Sequence, residues 1–67
     1  MDIDRIRKRL IELRGEKSQA QVASDLGISD SAISAYEQGD RIPRDEVKIR
    51  IANYYGVSVE SIFFDNG

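Results

Sequence analysis

The sequence predicts an all-α fold, a compact bundle of about five short helices forming one domain over residues 1–67. Three observations predict it. Apolar residues recur at three- and four-residue spacing in short stretches. Helix-start and helix-stop residues bracket those stretches: Ser18 with Gln21 three places on, then Gly27; Ser29, then Gly39; Gly56, then Ser58. The length of 67 residues leaves room for little else and lies near the lower limit at which a helical core is stable without staples.

Asp2 or Asp4 can cap a first helix over about Ile3 to Arg14, in which Ile6, Leu10 and Leu13 share a face and Arg5, Lys8, Arg9 and Glu12 take the rest. Gly15-Glu16-Lys17 ends it. Ser18 and Gln21 form a capping-box pattern, so a second helix should start there and run through Val22, Ala23 and Leu26. Gly27 stops it, taking a positive φ without a Cβ penalty. After the short Ile28-Ser29 connector, Ser29 caps a third helix from about Asp30 to Gln38, with Ile33 and Tyr36 on one face and Gly39 closing it. Gly39 to Pro43 reads as an extended loop, because Pro43 pushes Ile42 away from the αR region; Ile42 is expected to pack inward. Asp45 and Glu46 fall in the first turn of a fourth helix, where acidic groups complement the macrodipole. Val47, Ile51, Tyr54 and Tyr55 make its apolar face and Gly56 ends it, after which Ser58 can cap a last turn or two through Glu60, Ser61 and Ile62.

The second and third helices are joined so tightly that they must cross steeply. Ala23 is small where they approach, and Ile28 and Ile33 supply the bulk that fills the angle. That is a helix-turn-helix pattern. An ordinary αα-hairpin would need the same apolar residues but has no reason to combine small Ala23, Gly27 and Ile33 at these offsets.

Composition narrows the function classes. With no cysteine and no histidine, the chain has no disulfide framework, no thiolate metal site and no nucleophile–base pair of the usual kind, so no metal site, no cofactor and no enzyme is expected. The same composition suits a reducing cytoplasm, and with no long apolar run and a charged beginning no membrane partner is expected. The net charge of −2 is unusual for a binder of phosphate backbones, whose affinity comes from Lys and Arg. Its distribution is more telling: residues 18–40 carry Asp25, Asp30, Glu37 and Asp40 and no basic residue, whereas residues 1–17 carry six basic and four acidic side chains.

The ordered set Ser18-Gln19, Val22-Ala23, Leu26-Gly27-Ile28-Ser29, Ile33-Ser34, Tyr36-Glu37-Gln38-Gly39 and Arg41-Ile42-Pro43 resembles the Cro/phage-repressor (Xre) family of DNA-binding domains, with a lambda repressor-like fold. The similarity continues through Ile51-Ala52 and Tyr55 to Ile62. The resemblance implies a sequence-specific transcriptional regulator, repression being the family's commoner role, that binds an inverted-repeat operator in double-stranded DNA as a homodimer. It places the helix from Asp30 to Gln38 in the major groove, with Asp30, Ser31, Ser34 and Ala35 at base-contacting positions. Serine hydroxyls discriminate weakly among bases; Ala35 suits a thymine methyl, and Asp30 suits either a cytosine amino group or simply the start of its helix. Backbone contacts fall to Gln19, Ser29, Gln38 and Arg41, with Arg44, Lys48 and Lys17 as weaker candidates.

The resemblance further implies an ion pair between Arg14 and Glu37, and a dimer interface in the last segment, at Val59, Ile62, Phe63 and Phe64. Two adjacent phenylalanines cannot both enter so small a core. Either one packs against the first helix while the other stays on the surface, or self-association covers it. A competing reading keeps the fold without the DNA: a protein-interaction module that antagonises a related regulator or acts as an antitoxin. The cation-free motif and Asp30 favour that alternative; Gln19, Ser31, Gln38 and Arg41 favour DNA.

Overall fold

A computed structural model describes residues 2–64, and five α-helices account for most of them. They are α1 (Ile3–Arg14), α2 (Gln19–Leu26), α3 (Asp30–Gln38), α4 (Asp45–Tyr55) and α5 (Val59–Phe63). The caps explain these boundaries. Asp2 rather than Asp4 caps α1, accepting from the Arg5 amide; Ser18, Ser29 and Ser58 do the same for α2, α3 and α5 through the amides of Gln21, Ala32 and Ser61. The start of α4 has no side-chain cap; Asp45 and Glu46 occupy its first turn.

The end of α2 is a complete Schellman turn, with Ile28 N–H on the Ala23 carbonyl and Gly27 N–H on that of Ser24. Gly27 sits at φ 72°, the left-handed conformation this closure needs. α3 ends in the same way, with Gly39 at φ 80° and Asp40 N–H on the Ala35 carbonyl. At Gly39 a second constraint applies, since a Cβ there would lie 2.9 Å from Ile3 Cγ2 and 3.3 Å from Arg7 Cδ. The end of α3 is therefore packed directly beneath the start of α1.

All five helices feed one core: Ile6 and Leu10 from α1, Val22, Ala23 and Leu26 from α2, Ala32, Ile33 and Tyr36 from α3, Val47, Ile51 and Ala52 from α4, and Ile62 and Phe63 from α5. Ile28 and Ile42 pack half-buried against it. The five-residue α5 is too short to be stable alone. Arg5 of α1 ties down its end, donating to the carbonyls of Ser61 and Ile62 at 3.0 and 3.2 Å.

The last segment corrects one expectation and agrees with another, that one of the adjacent phenylalanines packs inside while the other stays on the surface. Ile62 and Phe63, expected at a dimer interface, are 0 % and 2 % exposed within the single chain. With α5 laid against α1 and α4, the helical repeat turns these two residues inward, and of the four expected interface residues half-buried Val59 and exposed Phe64 remain for a second copy.

Candidate nucleic-acid interface

The two faces of α3 differ sharply. Ala32, Ile33, Tyr36 and Glu37 are buried, while Asp30, Ser31 and Gln38 are exposed and Ser34 and Ala35 are half-exposed. Among the described residues, no other element covers the outward face. It consists of small and polar side chains, so the helix backbone can approach a flat or grooved partner closely. Gln38 Nε2 donates to Ser34 Oγ at 3.0 Å, joining two of these residues one turn apart. Ser29, at the amino end of α3, is exposed; its hydroxyl oxygen accepts from the Ala32 amide, which leaves its proton for a partner.

What aims this face is a cluster on the inner side. Glu37, 6 % exposed, accepts from Arg14 Nε at 2.7 Å and Nη2 at 3.0 Å, and from Gln19 Nε2 at 2.9 Å. A bidentate guanidinium with a neutral third donor satisfies a buried carboxylate that would otherwise be costly. Arg14 also donates from Nη1 to the Lys17 carbonyl. The end of α1, the start of α2 and the end of α3 thus meet on one carboxylate. Gln19, expected to touch a phosphate, spends one of its amide N–H groups on this bracing and keeps the other.

A second set of links, which the sequence alone did not suggest, fastens α2 to α4. The Tyr54 hydroxyl donates to Asp25 Oδ2 at 2.6 Å and accepts from Lys17 Nζ at 2.9 Å, and Gln21 Nε2 donates to Asp25 Oδ1. The Tyr54 hydroxyl, the largest cause, holds the Asp25 carboxyl below the usual carboxylate range. One turn earlier on α4, Arg50 Nη1 donates to the Leu26 carbonyl at 2.9 Å, satisfying an open acceptor at the end of α2. Neither link has a spacing signature, since each joins residues more than 20 positions apart.

The cations expected at the phosphate backbone separate into two groups. Lys48 was a candidate for backbone contact, but it is 7 % exposed, lies 3.5 Å from Asp45 Oδ1 and sits over the rings of Phe63 and Phe64, so its charge serves the α4–α5 packing. Lys17 is exposed but tied to Tyr54. Arg41 and Arg44 lie exposed just past α3, with the Arg41 guanidinium 5.8 Å from the Tyr36 ring centroid. These two flank the outward face, and Arg7 of α1 lies beside Gly39 at the end of α3.

A helix that buries one face, Val22, Ala23 and Leu26, followed across a tight glycine turn by a second helix with an open polar face, defines the class: this is a helix-turn-helix protein. A family model described as helix-turn-helix matches residues 6–62, and the chain belongs to that family, in its Cro/C1-type form. Among curated proteins it is 33 % identical over 60 residues to the cryptic phage CTXphi transcriptional repressor RstR of Vibrio cholerae serotype O1, covering 87 % of this chain and 54 % of that protein. A second RstR from Vibrio cholerae is 32 % identical over 57 residues, 82 % of this chain and 51 % of the relative. An uncharacterized helix-turn-helix-type transcriptional regulator of Methanocaldococcus jannaschii is 37 % identical over 46 residues, 69 % of this chain and 70 % of the relative. The chain spans about half the length of the RstR proteins it matches. No solved structure matches it. Among the described residues, no helix is long and apolar enough to cross a membrane, and no group of acidic residues is placed to hold a metal ion.

Proposed function

We propose that the chain is a sequence-specific DNA-binding regulator that lays α3 in the major groove of an inverted-repeat operator and acts in the cytoplasm as a homodimer, most simply as a repressor. The observation that carries this reading is the open face of α3. Asp30, Ser31, Ser34, Ala35 and Gln38 lie on the solvent side of a helix whose opposite side is locked into the core. In this arrangement the first turns of α3 meet base edges and α2 crosses the backbone. Helix-terminal N–H groups, the free N–H of Gln19, and Arg41 and Arg44 supply the phosphate contacts.

The dimer reading rests on an apolar groove of about 260 Å³ lined by Asp45, Lys48, Ile49, Val59 and Phe64. Ile49 and Phe64 are 52 % and 43 % exposed. A two-fold dimer on an inverted repeat needs its two α3 helices about 34 Å apart, on successive major-groove faces.

Selection of bound duplexes from a random library, at low and at moderate salt, tests this proposal. Enrichment of an inverted repeat supports it; no enrichment even at low salt defeats it. Few cations flank the face, so affinity should fall less steeply with salt than for a strongly basic domain. One observation favours the rival protein-interaction reading: Arg14, Arg50 and Lys48 all spend their charge inside the fold. A protein partner recovered on the α3 face, together with the absence of an enriched operator, would establish that alternative.

A further inference from the structure

Resting on the proposed docking of α3, we infer that Gln38 acts through Ser34, fixing the Ser34 hydroxyl as a hydrogen-bond donor and thereby making it discriminate among bases. A free serine hydroxyl has one donor and two acceptor sites and rotates to suit its neighbour, which makes it a poor reader of sequence. Here Gln38 Nε2 donates to Ser34 Oγ at 3.0 Å, occupying one acceptor site. The usual alternative for a serine inside a helix is to donate back to the carbonyl four residues earlier, here that of Asp30. Ser34 makes no such bond, and its hydroxyl proton has no acceptor among the described residues.

With its oxygen engaged from the Gln38 side, the hydroxyl turns its proton outward. An outward donor favours major-groove acceptors, the O6 and N7 of guanine, the O4 of thymine and the N7 of adenine, over the amino group of cytosine. Gln38 keeps a second amide N–H and its carbonyl oxygen, so the same side chain can still reach the backbone. It is a positioning residue in this role, and Ser34 is the reader.

The pair is tested by repeating the duplex selection with the intact chain and with Ser34→Ala, Gln38→Ala and Gln38→Glu. Both alanine variants should relax preference at the same operator position, by roughly three- to tenfold, the worth of one net hydrogen bond. Gln38→Glu reverses the polarity of the pair: a carboxylate accepts the serine proton, leaving only acceptor lone pairs facing the DNA. Preference at that position should then invert toward the amino-bearing bases cytosine and adenine, even though the added charge weakens binding overall. Neither side chain is buried, so melting curves close to that of the intact chain should accompany these changes. If the intact chain enriches an operator and Gln38→Ala and Gln38→Glu leave the base preference at the Ser34 position unchanged, the pair is only a surface contact and the inference is overturned. If the intact chain enriches nothing, the DNA reading itself falls, and this inference with it.

Discussion

Arg14 and Glu37, 23 positions apart, meet as a bidentate pair at 2.7 and 3.0 Å, with the carboxylate nearly sealed from solvent and the guanidinium side chain 20 % exposed. Removing either partner strands the other charge in a low-dielectric setting. Glu37→Ala or Arg14→Ala should cost about 2–4 kcal/mol, slightly below the range for fully buried pairs because Arg14 retains some water. A domain of this size has only a few kcal/mol in reserve, so either variant should melt at a markedly lower temperature. An unchanged melting curve for Glu37→Ala would count against the cluster as the brace of α3.

Gly39 and Gly56 separate two costs that usually occur together. Both adopt a left-handed conformation, at φ 80° and 70°, but a Cβ at Gly56 meets open space whereas one at Gly39 runs into Ile3 and Arg7. Gly56→Ala should cost only the backbone term of about 1–2 kcal/mol. Gly39→Ala should cost more, because α1 must shift as well. Urea unfolding of the two variants side by side makes the comparison; equal losses would mean that α1 yields freely.

Phe63 and Phe64 make opposite predictions. Phe63 lies in the core, and Phe63→Ala should cost about 3–5 kcal/mol. Phe64→Ser removes a ring that is 43 % exposed and that also carries the Lys48 ammonium at 4.7 Å, so monomer stability should fall by only about 1 kcal/mol, well short of the Phe63 loss, while self-association weakens. Mass measured across a dilution series reads the second effect. A monomer at every concentration in the unaltered chain removes the proposed interface.

Burial pushes the Tyr55 phenol up to about 12, with the neighbouring Glu37 carboxylate the second cause. The folded value lies above the ordinary value of about 10, so the folded state holds this proton more tightly than the unfolded state does. The resulting stabilisation is intact below pH 10 and disappears as pH rises through about 12. Alkaline titration of phenolate absorbance should show a late step that Tyr55→Phe abolishes.

Asp25 titrates in the opposite sense. Its carboxyl is held low, first by the Tyr54 hydroxyl and then by Gln21 and Lys17, so its contribution is present above the ordinary carboxylate value of about 3.9 and fades as pH falls through the folded value. Tyr54→Phe should raise the Asp25 value toward the ordinary range, followed through its carboxyl carbon resonance. An unmoved resonance titration would show that the α2–α4 link does not form in solution.

Helix boundaries and the tight turn were legible because their causes are local. Ser18, Ser29 and Ser58 accept from amides three residues on, and Gly27 and Gly39 close the helices they follow, so a short stretch of chain contains each interaction in full. The open face of α3 was legible for the same reason, since helical periodicity sorts Ile33 and Tyr36 from Ser31 and Ser34. The Asp25–Tyr54–Lys17 and Arg50–Leu26 links were not, nor was the burial of Ile62, the choice of Phe63 over Phe64 as the inner ring, or the diversion of Lys48 from the surface. Each depends on where α4 and α5 settle against helices distant in the chain, and that is set by the joint packing of the whole core. One-dimensional spacing does not carry that information: the same cation can face water, a carbonyl or a ring according to which helix happens to lie beside it.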